Sequence, residues 1–132
     1  MKHLLILFGF LGISVLSFQK VHAQSEEPVS FKTKTHSFGK IPQHKPVSFV
    51  FSFTNNGTRP AVIEFADAEC GCTKPEYDKS PILKGKTSTI KVTYNAETAG
   101  RFSKNVNIKF VGQQLPVVLT VDGEVIPAKG KG

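Results

Sequence analysis

The stretch Val47-Ser48-Phe49-Val50-Phe51-Ser52-Phe53-Thr54 alternates between apolar and mostly small polar residues with a period of two. Successive side chains of a strand point to opposite faces, so the valine and the three phenylalanines at odd positions share one face. This pattern is typical of a strand with one buried face, and such a strand requires a core to pack against.

Other segments repeat the pattern. Residues 90–94, 106–110 and 115–121 alternate in the same way, with Leu115 counted on the core face, and weaker strands are predicted at 29–38, 61–65 and Thr73–Tyr77. The connections are rich in turn residues. We expect positive φ angles in Asn55-Asn56-Gly57-Thr58 and a tight hairpin at Val111-Gly112-Gln113.

No segment after the apolar N-terminus shows the apolar spacing of an amphipathic helix. Six to seven short strands in about 100 residues predict an all-β fold, an Ig-like antiparallel β-sandwich. The antibody version of that fold is excluded, because it joins two distant cysteines around a core Trp. This chain has no Trp, and its 2 Cys are two positions apart.

The N-terminus predicts export. Lys2 precedes an apolar run from Leu4 to Phe18, and Val21-His22-Ala23 leads to a predicted signal-peptide cleavage after Ala23. The run is shorter than the roughly 20 residues of a spanning helix. Lys20 follows the run, which leaves an uncleaved membrane anchor as the alternative. With cleavage, the mature chain is periplasmic or secreted and has no membrane span.

We therefore divide the chain into a signal peptide (1–23), a polar linker (24–28), a sandwich domain (29–126) and a flexible tail (127–132). Loss of Lys2 and Lys20 with the signal lowers the formal net charge from +7 to +5. The remaining lysines are dispersed, and no aromatic residues interleave with a basic stripe. This distribution argues against a nucleic-acid partner.

Cys70-Gly71-Cys72-Thr73 is the one local motif that carries chemistry. Residues two apart in an extended chain point to the same side, so the sulfurs face a common object or each other. Their Cα separation in a flat strand is roughly 6.5–7 Å, at the outer limit of about 6.8 Å for a disulfide. A bridge therefore requires a bend, which Gly71 permits. Such a bridge closes a very small loop, stabilises little and is easily reduced.

Acidic residues surround this motif. Asp67 and Glu69 are the candidate supporting acids, and they belong to a group of five acids within residues 64–78. Carboxylates disfavour a reactive thiolate but attract cations, so the pair is a candidate Cu(I) or Zn²⁺ site if further ligands converge. His36 and His44 are the available imidazoles. Loop-shaping, metal binding and redox activity all remain open for Cys70 and Cys72, and no cofactor is required by the sequence.

Five segments in order resemble a family of secreted bacterial domains of unknown function, the Cys-Gly-Cys-Thr family common in Bacteroidetes. They are Phe38-Gly39-Lys40-Ile41, Phe51-Ser52-Phe53-Thr54-Asn55-Asn56-Gly57, Cys70-Gly71-Cys72-Thr73, Pro81-Ile82-Leu83-Lys84-Gly85 and Val121-Asp122-Gly123-Glu124-Val125. The resemblance covers 29–126 and implies an exported module similar to Hydin-type and major-sperm-protein-type Ig-like domains. Lys84-Gly85 and Val111-Gly112 depart from the family's usual Pro-Gly and Ser-Asn turns.

No esterase, metalloprotease, phosphate-loop or dinucleotide motif occurs in the sequence. We therefore expect a non-enzymatic module that binds another envelope protein through its strand edges and loops. The alternative is a thiol-dependent metal-binding or redox protein that uses Cys70 and Cys72. A third hypothesis, a carbohydrate-binding adhesin, has the least support from the sequence. The chain has no Trp, and only Tyr77 and Tyr94 remain to stack on a sugar ring.

Overall fold

The computed structural model describes residues 27–129, and these form two four-stranded sheets packed face to face. The strands in chain order are β1 (Val29–Phe31), β2 (Thr35–Pro42), β3 (Val47–Asn55), β4 (Ile63–Ala68), β5 (Thr73–Tyr77), β6 (Thr87–Tyr94), β7 (Gly100–Phe110) and β8 (Val117–Ile126). Residues 27–129 contain no helix, so none there is able to cross a membrane. The predicted Ig-like sandwich is confirmed.

Some predicted segments lie outside the described residues. These are the signal peptide (1–23), most of the linker (24–28) and the last three residues of the tail (127–132).

Sheet A has the strand order β1-β3-β6-β5, and sheet B has the order β2-β8-β7-β4. Every neighbouring pair is antiparallel except β2 and β8, which run parallel. The sandwich therefore departs from the purely antiparallel expectation at one edge of sheet B.

Eight strands are present rather than six to seven, because the predicted strand at 29–38 is two strands. The chain leaves sheet A after β1 and enters sheet B at β2. Thr33 lies in the bend between them, where its hydroxyl contacts both the carbonyl and the amide of Thr35 at 2.9 and 3.3 Å. This local hydrogen bonding competes with a continuous ladder and allows the chain to change sheets.

Two other strand predictions were wrong in detail. β4 spans Ile63–Ala68 rather than 61–65, since Ala61 instead forms an isolated bridge with Ile82. Leu115 is 78% exposed rather than buried. The connection after Phe110 is longer than a tight hairpin, so the buried alternation of β8 begins only at Val117.

The main core lies between the sheets and consists of the predicted alternating rows. Phe51 and Phe53 are fully buried and Phe49 is half-buried, as is Val47. The Phe53 ring contacts Phe31 at a centroid distance of 5.2 Å and Phe110 of sheet B at 5.5 Å. Aromatic pairs of this kind contribute about 0.5–1.5 kcal/mol each beyond their area burial.

A second, smaller cluster fills one end of the sandwich. Its buried members come from both sheets and from the segment after β6: Ile41, Tyr94, Ala96, Phe102 and Val125. The Tyr94 and Phe102 rings stack at a centroid distance of 3.9 Å. Burial raises the pKa of the Tyr94 hydroxyl, because the charged phenolate is poorly solvated there.

Asn55 is a fully buried polar residue at the end of β3, where the sequence predicted a turn with positive φ angles. Neither Asn55 nor Gly57 has a positive φ angle. The Asn55 side-chain amide instead donates to the carbonyls of Arg59 and Ile82 at 2.8 Å each, and its oxygen accepts from the Gly57 amide at 2.9 Å. One buried side chain thus ties two loops to the end of sheet A.

Replacement of Asn55 by Ala is expected to lower the free energy of unfolding by about 3 kcal/mol, because it leaves buried backbone groups without partners. The measurement is urea denaturation. Asn56→Ala, at the exposed neighbouring position, is the matched control and is expected to change stability by less than about 0.5 kcal/mol. Equal stability of the two variants would contradict this role.

Candidate functional site

The cysteine loop, residues 69–72, connects the edge strand of sheet B to the edge strand of sheet A. Cys70 and Cys72 form a disulfide within it, with their Cα atoms 5.2 Å apart. This Cα separation is shorter than in a flat strand, so the chain bends here as a bridge requires. The loop is thus a turn between sheets rather than part of a strand.

Gly71 lies at the exposed outer side of the loop. Its φ angle is outside the left-handed region, and a Cβ atom added there would meet no atom within 4 Å apart from those of the two adjoining residues. The expectation that the bend uses glycine's special backbone freedom is therefore wrong. The glycine leaves the exposed outer side of the turn without a side chain.

Hydrogen bonds anchor both ends of the cysteine loop independently of the disulfide. The Glu69 amide donates to the Asn105 carbonyl at 3.2 Å, and the Asn105 side-chain amide donates to Glu69 Oε1 at 2.8 Å. At the other end, the Asn95 amide donates to the Cys72 carbonyl at 2.9 Å. A further bond, from the Thr73 amide to the Cys70 carbonyl at 3.3 Å, closes the turn.

The two sulfurs lie between an apolar cluster and a buried hydroxyl. Cys72 is half-buried and packs against the second core cluster. Thr73 is only 4% exposed, and its Oγ1 lies 3.8 Å from the Cys70 sulfur and 3.7 Å from the Cys72 sulfur. The hydroxyl is therefore placed to donate to either sulfur.

The acids around the motif do not converge on it. Glu69 is bound to Asn105, whereas Asp67 is exposed on β4 opposite Asn107. Glu64 forms an ion pair with Lys109, at 3.2 Å.

The last two of the five acids have partners close by in sequence. Glu76 forms an ion pair with Lys74, and the Asp78 carboxylate accepts a hydrogen bond from the Ser80 amide. Hydrogen bonds from Ser80 lower the pKa of the exposed Asp78 carboxyl.

The two candidate histidine ligands contact other residues rather than the cysteines. His36 stacks on the Phe49 ring at a centroid distance of 3.7 Å, and His44 lies 2.9 Å from the Glu97 carboxylate. Among residues 27–129, no three His, Cys, Asp or Glu side chains are grouped so as to hold a metal ion. The bonded sulfurs are not thiolates, which are the sulfur ligands that the candidate copper or zinc site would require.

A shallow cleft of about 600 Å³ lies on sheet B. Lys40, Glu124 and Arg101 line it from three adjacent strands, in register across the sheet. Charges of opposite sign alternate across this surface, so it presents no strong field of one sign to a ligand.

Sequence reasoning identified the cysteines but missed the roles of Thr73 and Asn105. Thr73 follows the motif directly, and its position at the start of a predicted strand was the available signal. Asn105 is on β7, far away in sequence, and reaches Glu69 only because β4 pairs with β7. Its Oδ1 also accepts from the Thr120 hydroxyl at 2.8 Å, which extends the network to β8.

Residues 29–125 match a protein family described as a protein of unknown function (DUF1573). No curated protein matches the chain. The chain is similar to a protein of unknown function from Porphyromonas gingivalis W83, with 13% identity and a TM-score of 0.63. That similarity covers 73% of this chain and 46% of the other, so the chain spans about half the length of that protein.

Two further structures share the fold at lower identity. The ASH/PapD-like domain 7 of human CEP192 is 9% identical with a TM-score of 0.63, over 77% of this chain and 87% of that one. The secreted serine protease VesC from Vibrio cholerae is 11% identical with a TM-score of 0.61, over 80% of this chain and 24% of that one. At these identities the similarities show the fold alone.

Replacement of both Cys70 and Cys72 by Ser is expected to lower the free energy of unfolding by about 2 kcal/mol or less, because the disulfide closes only a three-residue loop. Urea denaturation of the variant, with the reduced wild-type protein as control, measures this cost. Loss of cooperative unfolding in the variant would show instead that the bridge holds the sandwich together.

Proposed function

The chain belongs to this family of unknown function, and we propose that it is an exported, non-enzymatic Ig-like module that binds another protein of the cell envelope by strand addition. The observation that carries the proposal is an uncovered edge in sheet A. β1 pairs with β3 only at Phe53–Asn55, and the last bond on that side runs from the Lys32 amide to the Ser52 carbonyl at 3.0 Å.

Beyond that bond, the edge of β3 is open. The Asn55 amide bonds to Lys86 on the β6 side, and hydrogen-bonding direction alternates along an antiparallel strand. The backbone groups of Ser48 and Val50 therefore point away from β6. No backbone hydrogen bond from residues 27–129 reaches them on that side. They form a template for an added strand.

The other edge strands carry features that discourage pairing. β5 contains Pro75, which by the same alternation places its ring nitrogen, without an N–H group, on the free edge. β4 has an irregularity between Ile63 and Phe65, and β2 has one between Ser37 and Lys40. Bulges and edge prolines protect sheets against unwanted partners. The uncovered part of β3 is regular throughout its pairing with β6.

The side chains at this edge favour an apolar, alternating partner strand. Val50 is 49% exposed on the outer face of sheet A. On the inner side, the half-buried Phe49 ring stacks on His36 of β2, and Phe38 contacts the same imidazole edge-on at 4.7 Å. A strand added beside β3 would place every second side chain against this aromatic group and bury it from water.

Cleavage of the signal peptide after Ala23 predicts the N-terminal residue of the mature protein. The chain purified from the envelope of cells that make it is expected to begin at Gln24, as determined by N-terminal sequencing or intact mass. An N-terminus at Met1, with the protein retained in the membrane fraction, would favour the uncleaved anchor instead.

Strand addition predicts a loss of binding when Val50 is replaced by Pro. This substitution removes an N–H group from the open edge without removing a bond to β6, so the fold is expected to persist. A photo-crosslinking residue at position 48, introduced into the full chain in cells, is expected to give a single protein adduct. The adduct is expected to fall at least about tenfold in the Val50→Pro background.

The controls separate the edge from the face of the sheet. Val50→Lys and Thr89→Lys add the same charge to exposed positions of sheet A, but Thr89 lies on the interior strand β6. Only the Val50 substitution is expected to weaken the adduct. Equal loss in both variants would assign binding to the sheet face, and an adduct unaffected by Val50→Pro would reject strand addition.

A further inference from the structure

We propose that the Cys70–Cys72 disulfide is a site of thiol–disulfide exchange, which accepts electrons from a partner dithiol, and that the Thr73 hydroxyl positions and stabilises the departing sulfur. The proposal is independent of strand addition at β3. Three features of the cysteine loop support it: the bond is dispensable to the loop, its outer side is open, and a buried hydroxyl reaches both sulfurs.

The loop keeps its position without the disulfide. Backbone bonds from Glu69 to Asn105 and from Asn95 to Cys72 fix its two ends, and the Glu69 side chain is held by Asn105. Breaking the S–S bond removes none of these contacts. The two thiols therefore stay close together after reduction, and the bond is able to form again. A cross-link that served only as a staple would instead join elements that lack other connections.

An incoming thiolate has access to the bond. Gly71 is exposed, and the cysteines on either side of it, Cys70 and Cys72, are each partly exposed. The loop joins two edge strands, β4 and β5, each of which has a neighbour on one side only within its sheet in the described structure. A disulfide that solvent partly reaches is reduced more readily than one enclosed in a core.

The Thr73 hydroxyl interacts more strongly with the transition state of the exchange than with the intact disulfide. In the described structure, the two sulfurs are the polar side-chain atoms within hydrogen-bonding range of Thr73 Oγ1, at 3.8 and 3.7 Å. A disulfide sulfur is a weak acceptor, whereas a sulfur that leaves as a thiolate is a charged and strong one. The hydroxyl therefore gains most of its interaction as the S–S bond breaks, which lowers the barrier.

The exchange proceeds in two balanced steps. A thiolate of the partner attacks one sulfur of the pair; a new S–S bond forms, the Cys70–Cys72 bond breaks, and the other sulfur leaves with the electron pair. That thiolate takes up a proton. The partner's second thiolate then attacks its own sulfur in the mixed disulfide and releases the remaining cysteine, which is protonated. Cys70 and Cys72 gain two electrons and two protons, and the partner dithiol becomes a disulfide.

The first measurement establishes the oxidised state. The full-chain protein is purified without reductant, treated with iodoacetamide and weighed intact, before and after treatment with dithiothreitol as the dithiol probe. We expect no alkylation before reduction and two alkylated cysteines after it. Thiols that stay free after treatment with oxidised glutathione, with or without the added mass of a metal ion, would overturn the proposal, and a metal mass would favour the metal-binding alternative.

The second measurement is the rate of reduction by dithiothreitol, followed by quenching and alkylation. Thr73→Val keeps the shape of the side chain and removes the hydroxyl, so reduction is expected to slow by about tenfold. Thr73→Ser keeps the hydroxyl and is expected to stay within about twofold of wild type. In concentrated guanidinium chloride the three proteins are expected to react equally, since the hydroxyl is no longer held beside the sulfurs.

Two further results decide whether the Thr73 hydroxyl and the disulfide act as proposed. Equal rates for wild type and Thr73→Val in the folded state would remove the role of the hydroxyl and reject the proposal. If Thr73→Val does not fold, the wild-type protein still tests it. An accessible exchange site is reduced at least as fast in the folded as in the denatured chain, whereas a protected staple is reduced more slowly when folded. Val50→Pro is expected to leave the rate unchanged.

Discussion

Packing of aromatic side chains between the two sheets is the interaction on which the rest of this structure depends. Phe53 of sheet A lies against Phe31 of its own sheet and against Phe110 of sheet B, and no disulfide links a strand of one sheet to a strand of the other within the described residues. A small sandwich has limited area to bury, so large side chains supply much of the free energy. Everything at the surface is positioned by this core, including both the open edge of β3 and the cysteine loop.

The core requires no cross-link between the sheets, so the two cysteines are not needed to support it. In the antibody version of the fold a disulfide spans the sheets and supports the core. Here it joins positions two apart in a loop that hydrogen bonds already hold. The same logic applies to the sheet edges. β1 is only three residues long, so it covers part of β3 and leaves the remainder open, while Pro75 and the irregularities of β2 and β4 protect the other edges.

Strand prediction succeeded where one face of a strand is buried and the alternation is strict, as in β3 and β6. It failed where tertiary contacts decide the outcome. The segment at 29–38 reads as one strand, but its two halves pair with different sheets. Asn55 is a residue type typical of turns, yet it is fully buried, because its amide donates to the carbonyl of Arg59 in the adjoining loop and to that of Ile82, which is distant in sequence. Local propensity contains no information about those partners.

The sequence by itself determined the all-β class, the inward rows of the core and the position of the cysteine pair, because periodicity and cysteine spacing are local properties of the chain. The tertiary structure decided which strand edges are covered, how the acids near Cys70 are engaged, and that Thr73 Oγ1 contacts both sulfurs. These features depend on pairings between residues far apart in the chain, such as Glu69 with Asn105, and on a bend whose direction is set by the packing of two sheets.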